Sequence, residues 1–427
     1  MINIEFLYTI YKQYPSVTTD TRNINKGDIF FALKGPSFNG NLFAQQALEA
    51  GAAYAIVDEA AYAIGERILL TTDVLQTLQA LAKYHRQQFK IPFIAITGSN
   101  GKTTTKELVH AVLSTTYRTY TTVGNLNNHI GVPLTILKVG FDAQVAVIEM
   151  GANHQKEIES YCAYTLPTHG IITNVGKAHL EGFGGVEGVL KGKGELFDFL
   201  KAHGGAAFIC KDFEYFAEMS KGLQEIHWYG TKKGEVTASI IKSEPFLEVD
   251  VTQGLPAHVL RTQLVGSYNI FNVLVALSIG RLFCVDYQTI FDAIESYTPS
   301  NSRSQLVEKD GNHIILDAYN ANPSSMSAAI ENFAKLDVTD KILFLGGMME
   351  LGEQSMEEHQ NLLHLIGSHA WKEVVLVGGD FKNLTHDYRY FDNSQQAAEW
   401  WKEQKSTGNY LLVKGSRSMA MEKLIND

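Results

Sequence analysis

The residues best suited to chemistry are concentrated in one stretch, Phe93-Ile-Ala-Ile-Thr-Gly-Ser-Asn-Gly-Lys-Thr-Thr-Thr-Lys106. A short apolar run ends in the turn Gly98-Ser99-Asn100-Gly101. Lys102, Thr103 and Thr104 then open a helical pattern carried by Leu108, Val109, Val112 and Leu113. Glycines let backbone N–H groups converge on an anion, and a helix N-terminus adds partial positive charge. The Lys102 ammonium can reach outer phosphates, and the Thr103 hydroxyl can ligate Mg²⁺. The general pattern G-x-x-x-x-G-K-[ST] puts its first glycine at position 96, where this chain has Ile96. The loop is therefore a shorter G-x-x-G-K-T form. With a strand pattern before it and a helix pattern after it, it reads as a nucleotide phosphate cradle.

Other candidates are less specific on their own. Glu149 ends the apolar run Val145-Ala-Val-Ile148, where ligands bind in open α/β sheets. It suits a Mg²⁺ or water partner, and equally a cap on the next helix. The segment Thr122–Pro133 carries Asn125, Asn127 and Asn128 and is too rich in Gly and Asn for helix or strand, so it reads as a substrate-facing loop. Asn269 and Asn272 stand one turn apart at the start of the apolar helix Ile270–Phe283, where amides cap helices or meet a purine edge. His179, Lys191 and Lys193 follow the strand-like run Gly170-Ile-Ile-Thr173 and would not stand out by themselves. Near the N-terminus, Thr21-Arg22 and Lys34 to Gly40 put basic side chains beside turns that suit a phosphorylated ligand. Such residues more often form a solvated turn.

The elements that must position these groups fall into three α/β units, 1–90, 91–299 and 300–427. The first has strand runs Ile29–Leu33, Tyr54–Val57 and Ile68–Leu70, with helices over Asn41–Ala50 and Val74–Phe89. The second contains the phosphate loop and a strand-rich segment, 206–265, with a polar hairpin at Lys232-Lys233-Gly234. The third alternates the strand runs Ile314–Leu316, Ile342–Leu345, Val374–Val377 and Leu411–Val413 with helical stretches, which predicts a parallel, doubly wound sheet. Polar residues sit at the ends of those strands, so a second ligand-binding unit should face the first across a cleft. A length of 427 residues, 45% apolar and 19% charged, allows three ordinary globular cores. A net charge of -10 argues against nucleic-acid or anionic-membrane partners, which need a basic footprint. Cys162, Cys210 and Cys284 lack metal-like spacing and read as reduced core thiols. The N-terminus has no signal-peptide pattern and no apolar run reaches membrane-spanning length, so a cytoplasmic protein is expected.

Taken together, Thr97–Thr103, Gly124–Asn128, Glu149–His154, His179–Gly184 and Lys414-Gly-Ser-Arg417 resemble the Mur ligases, ATP-dependent three-domain amide ligases of peptidoglycan precursor synthesis. The likeness keeps its order over nearly the whole chain. Asp317-Ala-Tyr-Asn-Ala-Asn-Pro323 with Met349-Glu-Leu-Gly352 resembles the branch that adds D-alanyl-D-alanine to a UDP-N-acetylmuramoyl-tripeptide. The resemblance implies that Gly98, Ser99, Asn100, Gly101, Lys102, Thr103 and Thr104 hold ATP phosphates. Thr103 and Glu149 would hold one Mg²⁺, and His179 with a carbamoylated Lys193 a second. Asn269 and Asn272 would meet the adenosine, with Arg303 and Asp317 completing the nucleotide site. Thr21, Arg22, Lys34, Asn39 and Gly40 would bind the UDP-sugar, and Asn127, Asn128, Tyr319, Asn320, Lys414, Ser416 and Arg417 the peptide substrates. Lys102, Glu149, His179 and Lys193 would be the catalytic groups of a chain acting as a monomer. Two positions depart from the family pattern: Tyr268 replaces histidine in G-x-H-N, and Gly347 replaces aspartate in G-D-M. A folylpolyglutamate-type ligase and a P-loop ATPase that ligates nothing are the alternatives.

Overall fold

The computed structural model describes residues 2–299 and 303–425. The boundary expected at 299/300 falls beside residues 300–302, outside the described ones. Three sheets organise the chain, each built where apolar strand runs alternate with amphipathic helices. The first is four-stranded and parallel, in the order Val17–Thr18, Ile29–Phe31, Tyr54–Val57, Ile68–Leu70. The expected strand Ile29–Leu33 stops at Phe31 because the chain turns into the small ribbon Lys34–Gly35/Phe38–Asn39. The expected helix from Asn41 begins as a 3-10 turn, Gly40–Phe43, and is α-helical only over Ala44–Glu49.

The helix Val74–Arg86 closes this unit and packs it on the next. His85 lies between the Tyr8 hydroxyl (3.0 Å) and the Val139 carbonyl (2.9 Å). A neutral ring donating from Nε2 and accepting at Nδ1 serves both partners. The apolar contacts of this face run into the central core, so the first two units share one hydrophobic interior.

The central sheet has nine strands. Six parallel strands run in spatial order Thr119–Thr121, Val145–Glu149, Phe93–Thr97, His169–Ile172, Ala206–Cys210 and Glu225–Gly230. Val236–Lys242 continues parallel to the last of these, and two antiparallel strands, Glu248–Gln253 and His258–Arg261, finish the edge. The hairpin expected at Lys232-Lys233-Gly234 is therefore absent. Only Tyr229–Gly230 and Val236–Thr237 pair, and Gly234, at φ +155°, lets the chain loop back and resume its direction. The phosphate-loop strand sits inside this sheet and is buried along its length.

The third sheet starts with an antiparallel pair, Gln305–Lys309 and Asn312–Asp317, followed by Tyr410–Lys414, Lys341–Gly346, Glu373–Val377 and Arg389–Phe391 in parallel. The doubly wound pattern read from the four apolar runs is the one observed. Among the described residues, no helix is long and apolar enough to cross a membrane.

Burial sets a pH dependence on this scaffold. His85, His110, His169 and His359 are all held below the ordinary imidazole pKa, by burial first. His169, stacked on Phe208 and tilted against Phe283, is pushed down to about 4 from 6.5. The unfolded chain takes up protons that the fold refuses, so stability must rise with pH in this range. The contribution is complete above about pH 6.5 and is lost as pH falls toward about 4. Melting temperature is expected to drop between about pH 7 and pH 5, and His169→Leu should flatten part of that slope.

Candidate active site

The phosphate loop is held open from three sides. Gly98 has φ +143°, and a Cβ there would lie 2.0 Å from the Thr173 hydroxyl. Gly101 has φ +80° and caps the helix Lys102–Ser114. Beneath the loop, Asn174 accepts from the Asn100 N–H (3.0 Å), and Ser99 bonds with Gly176. The helix Lys102–Ser114 begins at the carboxyl end of the strand Phe93–Thr97, an arrangement suited to an anion. Thr104 stands half-buried in the first helical turn.

Lys102 curls over its own loop, donating to the Gly98 carbonyl at 2.7 Å and the Ser99 carbonyl at 3.2 Å. Burial pulls its pKa down to about 8, opposed by Glu149 and reinforced by Arg303. Glu149 is buried at the end of its strand. Its Oε1 accepts from the Thr103 hydroxyl at 3.1 Å and from the Asn127 amide at 2.7 Å. Its Oε2 is buried with no hydrogen-bond partner, and the Lys106 ammonium stands 4.0 Å away. A buried carboxylate oxygen left open beside a threonine hydroxyl fits a divalent cation. Among the described residues no three His, Cys, Asp or Glu side chains converge as a metal cage. A cation held here would complete its oxygen shell from phosphates and water, as Mg²⁺ does.

Lys193 is completely buried on the helix Val186–His203. Its Nζ donates to the Ala152 carbonyl (3.0 Å) and lies 4.9 Å from the centre of the Phe183 ring. Burial, and next the Lys102 charge, hold its pKa well below the usual lysine value. His179 caps the short helix Leu180–Phe183 with a left-handed backbone, and its Nδ1 pairs with the Glu350 carboxylate.

Asn269 and Asn272 lie behind the loop. The Asn272 Oδ1 accepts from Thr105 (2.9 Å), its Nδ2 donates to Asn269, and Asn269 donates to the Val265 carbonyl. A Cβ on Gly101 would come within 2.8 Å of the Asn272 Oδ1. Both amides therefore brace the loop from below, and each –NH₂ keeps a second N–H beyond these bonds. Tyr268, in the family's histidine position, folds back over Gly266 and bonds Ser304 at 2.9 Å.

The third sheet brings its carboxyl edge against the loop. Asn322, at the start of the helix Pro323–Ala334, donates to the Asn100 side chain at 2.8 Å. Lys414, buried, pairs with Asp317 at 2.5 Å and donates to the Asn320 carbonyl at 3.3 Å. Arg303 stacks 3.6 Å from the centre of the Tyr319 ring, with Arg417 at 5.5 Å on the same ring. Asn320 is exposed at this edge. The buried Ser416 hydroxyl, expected to bind a peptide substrate, donates to the Gly347 carbonyl at 2.6 Å. Gly347 approaches Gly379 so closely that an added Cβ would lie 2.5 Å from the Gly379 Cα, which leaves no room for the family's aspartate.

The N-terminal candidates gather at the carboxyl edge of the first sheet. Lys34 pairs with Asp58 (3.0 Å) and Glu59 (3.5 Å), and Asn39 donates to Glu59. Gly40 packs its α-carbon onto the Leu33 carbonyl, where a Cβ would be 2.5 Å away. Thr21 opens the 3-10 turn Thr21–Asn23, and Arg22 is paired with Asp20 at 2.7 Å in solvent. Asn128 faces its own chain: Oδ1 accepts from Ile130 and Gly131 to cap the helix Gly131–Leu137. The last part of the expected Thr122–Pro133 loop is thus helical, because Asn128 supplies the missing cap and Pro133 tolerates a first turn. Lys106 and Asn322 stand in motifs quoted above without a role of their own, and Ser324 follows the second of them. Their types are ordinary, and only partners far along the chain give them a role.

Comparison with known proteins agrees with this arrangement. The family models Mur ligase family, catalytic domain (residues 13–87), Mur ligase middle domain (96–280) and Mur ligase, glutamate ligase domain (302–417) match in order. The UDP-N-acetylmuramoyl-tripeptide--D-alanyl-D-alanine ligase of Bacillus subtilis (strain 168) is 32% identical over 96% of this chain and 92% of its own. The protein of the same name from Escherichia coli (strain K12) is 33% identical over 96% and 92%. A crystal structure of MurF from Acinetobacter baumannii superposes with a TM-score of 0.87 at 30% identity, covering 96% of this chain and 92% of that one. The loop, the paired sheets and these likenesses together place the chain in the Mur ligase family.

Proposed function

We propose that the chain joins D-alanyl-D-alanine to UDP-N-acetylmuramoyl-tripeptide, using ATP, in the cytoplasm and as a single chain. The observation that carries the reading is the direct seating of the third sheet's edge, through Asn322, on the phosphate loop. An ATPase that transfers its phosphate only to water has no need of a second ligand edge at that position. The units 1–90, 91–299 and 300–427 would bind the UDP-sugar, ATP and the incoming dipeptide.

A carboxylate resists attack by an amine, so it must first be activated. A terminal carboxylate oxygen of the tripeptide attacks the γ-phosphorus of ATP, the bond to the β-phosphate oxygen breaks, and ADP and an acyl phosphate result. The dipeptide amine then attacks the acyl carbon. The tetrahedral intermediate expels inorganic phosphate, the amine loses a proton, and an amide remains. Lys102 would leave the loop carbonyls for the γ-phosphate, and Arg303 would approach from the third unit. Mg²⁺ bound at Thr103 and Glu149, and a second ion at His179 and Lys193, would neutralise charge between the phosphates and the carboxylate. Lys193 would serve that ion as a carbamate: its nitrogen attacks CO₂ and loses a proton. Its burial favours the uncharged amine that this step requires. Tyr319, Asn320, Lys414 and Arg417 would line the dipeptide side, and Asn127 the tripeptide side.

The test is phosphate release measured with each substrate withheld in turn. Release is expected only when ATP, UDP-N-acetylmuramoyl-tripeptide and D-alanyl-D-alanine are all present. Equal release without the dipeptide would exclude ligation, and release with a folate and glutamate instead would reassign the substrate.

A further inference from the structure

The segment that follows the central strand His169–Ile172 is gripped by the third unit at several points. The Lys177 N–H donates to the Ser324 hydroxyl at 3.0 Å, and its ammonium pairs with the buried Glu358 at 2.5 Å. The Glu181 N–H donates to the Glu350 carbonyl at 3.2 Å. Between these contacts the Glu350 carboxylate meets Nδ1 of His179.

Both partners of that pair are left-handed, His179 at φ +53° and Glu350 at φ +63°. A non-glycine residue in this region is strained and persists where its surroundings hold it. Here two such residues, on units more than 150 positions apart in sequence, present their side chains to each other. A carboxylate on Nδ1 fixes the imidazole tautomer, so that Nε2 keeps its lone pair and the ring keeps one orientation.

We propose that Glu350 is a positioning residue for His179: docking of the third unit orients the imidazole so that its Nε2 can hold a divalent cation. This rests on the reading that His179 binds a cation during ligation. Its consequence is linkage. A cation site completed across two units binds more tightly when they are docked, and by reciprocity the cation favours docking.

The test uses the full chain with a non-hydrolysable ATP analogue and Mn²⁺ as the probe, free Mn²⁺ being read by electron paramagnetic resonance. Two Mn²⁺ are expected to bind the wild-type protein. In E350A the weaker dissociation constant should rise about 10- to 100-fold, the usual loss when the partner of a ligating histidine is removed. E350Q, whose amide oxygen can still accept from Nδ1–H, should lose less. Turnover should follow the same order, with the Mn²⁺ requirement raised and the rate at saturating Mn²⁺ largely kept. Charge reversal at the neighbouring pair should also act through docking: K177E and E358K should each weaken the same ion, and the double variant should recover it. An unchanged Mn²⁺ constant in folded E350A would overturn the proposal. So would a fall in rate at every Mn²⁺ concentration with no shift in requirement, which is the mark of a merely structural role. Wild-type protein that binds both ions but shows no dipeptide-dependent turnover would instead fault the ligase reading.

Discussion

Glu149→Gln is expected to lower ligation by about 10³-fold or more while leaving the protein folded. The carboxylate is buried, yet only Oε1 is satisfied by protein, through Thr103 and Asn127. Its second oxygen has no hydrogen-bond partner and lies 4.0 Å from the Lys106 ammonium. In the free protein this is an unfavourable arrangement, because a buried acceptor without a partner costs about 1–3 kcal/mol. A glutamine of the same shape removes the buried charge and keeps an oxygen for Thr103 and Asn127. The melting temperature should therefore change little, or rise, even though the anionic oxygen that a cation needs is gone. Calorimetric melting and initial rates measured on the same preparation check both halves. A folded variant that keeps more than a tenth of wild-type turnover would remove Glu149 from the cation site.

Lys102→Ala should cost a comparable factor, about 10³-fold in turnover, for a different reason. The ammonium is the one cation belonging to the loop itself, and it sits on the Gly98 and Ser99 carbonyls. The lysine therefore also offsets the negative charge that the two carbonyls concentrate. If Lys102 meets the γ-phosphate as proposed, its removal also loosens the cradle, and nucleotide affinity should fall together with rate. Lys102→Arg should not restore function. A planar guanidinium is larger than an ammonium and cannot bridge both carbonyls in the same space. Single-turnover acyl-phosphate formation would separate the two losses: a defect seen only after that step would mean that Lys102 does not act on the γ-phosphate.

The phosphate loop was legible in sequence because its chemistry is local. Two glycines, a lysine and a threonine lie within six residues, and the strand before them and helix after them follow from apolar spacing. The third sheet was legible for a similar reason: four buried strand runs separated by helical stretches admit few topologies. The parallel continuation at Tyr229 and Val236 was not, since turn residues such as Lys232-Lys233-Gly234 shorten a connection without fixing its direction. The family likeness located Lys193, but only the packing of Phe183 and the helix Val186–His203 shows that its amine is held out of water.

What the sequence determined by itself was therefore the set of elements and the residue types at their ends. The direction each side chain takes was decided by tertiary structure. Asn272 lies behind Gly101 and Ser416 turns toward Gly347 because their partners stand far along the chain. The same holds for Glu350 on His179 and Asn322 on Asn100, which join separate sheets. Hydrogen bonds and ion pairs depend on distances of a few tenths of an ångström, and periodicity along a chain carries no information at that scale. It says which edge of a sheet will bear ligands, and the packing of one unit on another says which atoms remain free to bind them.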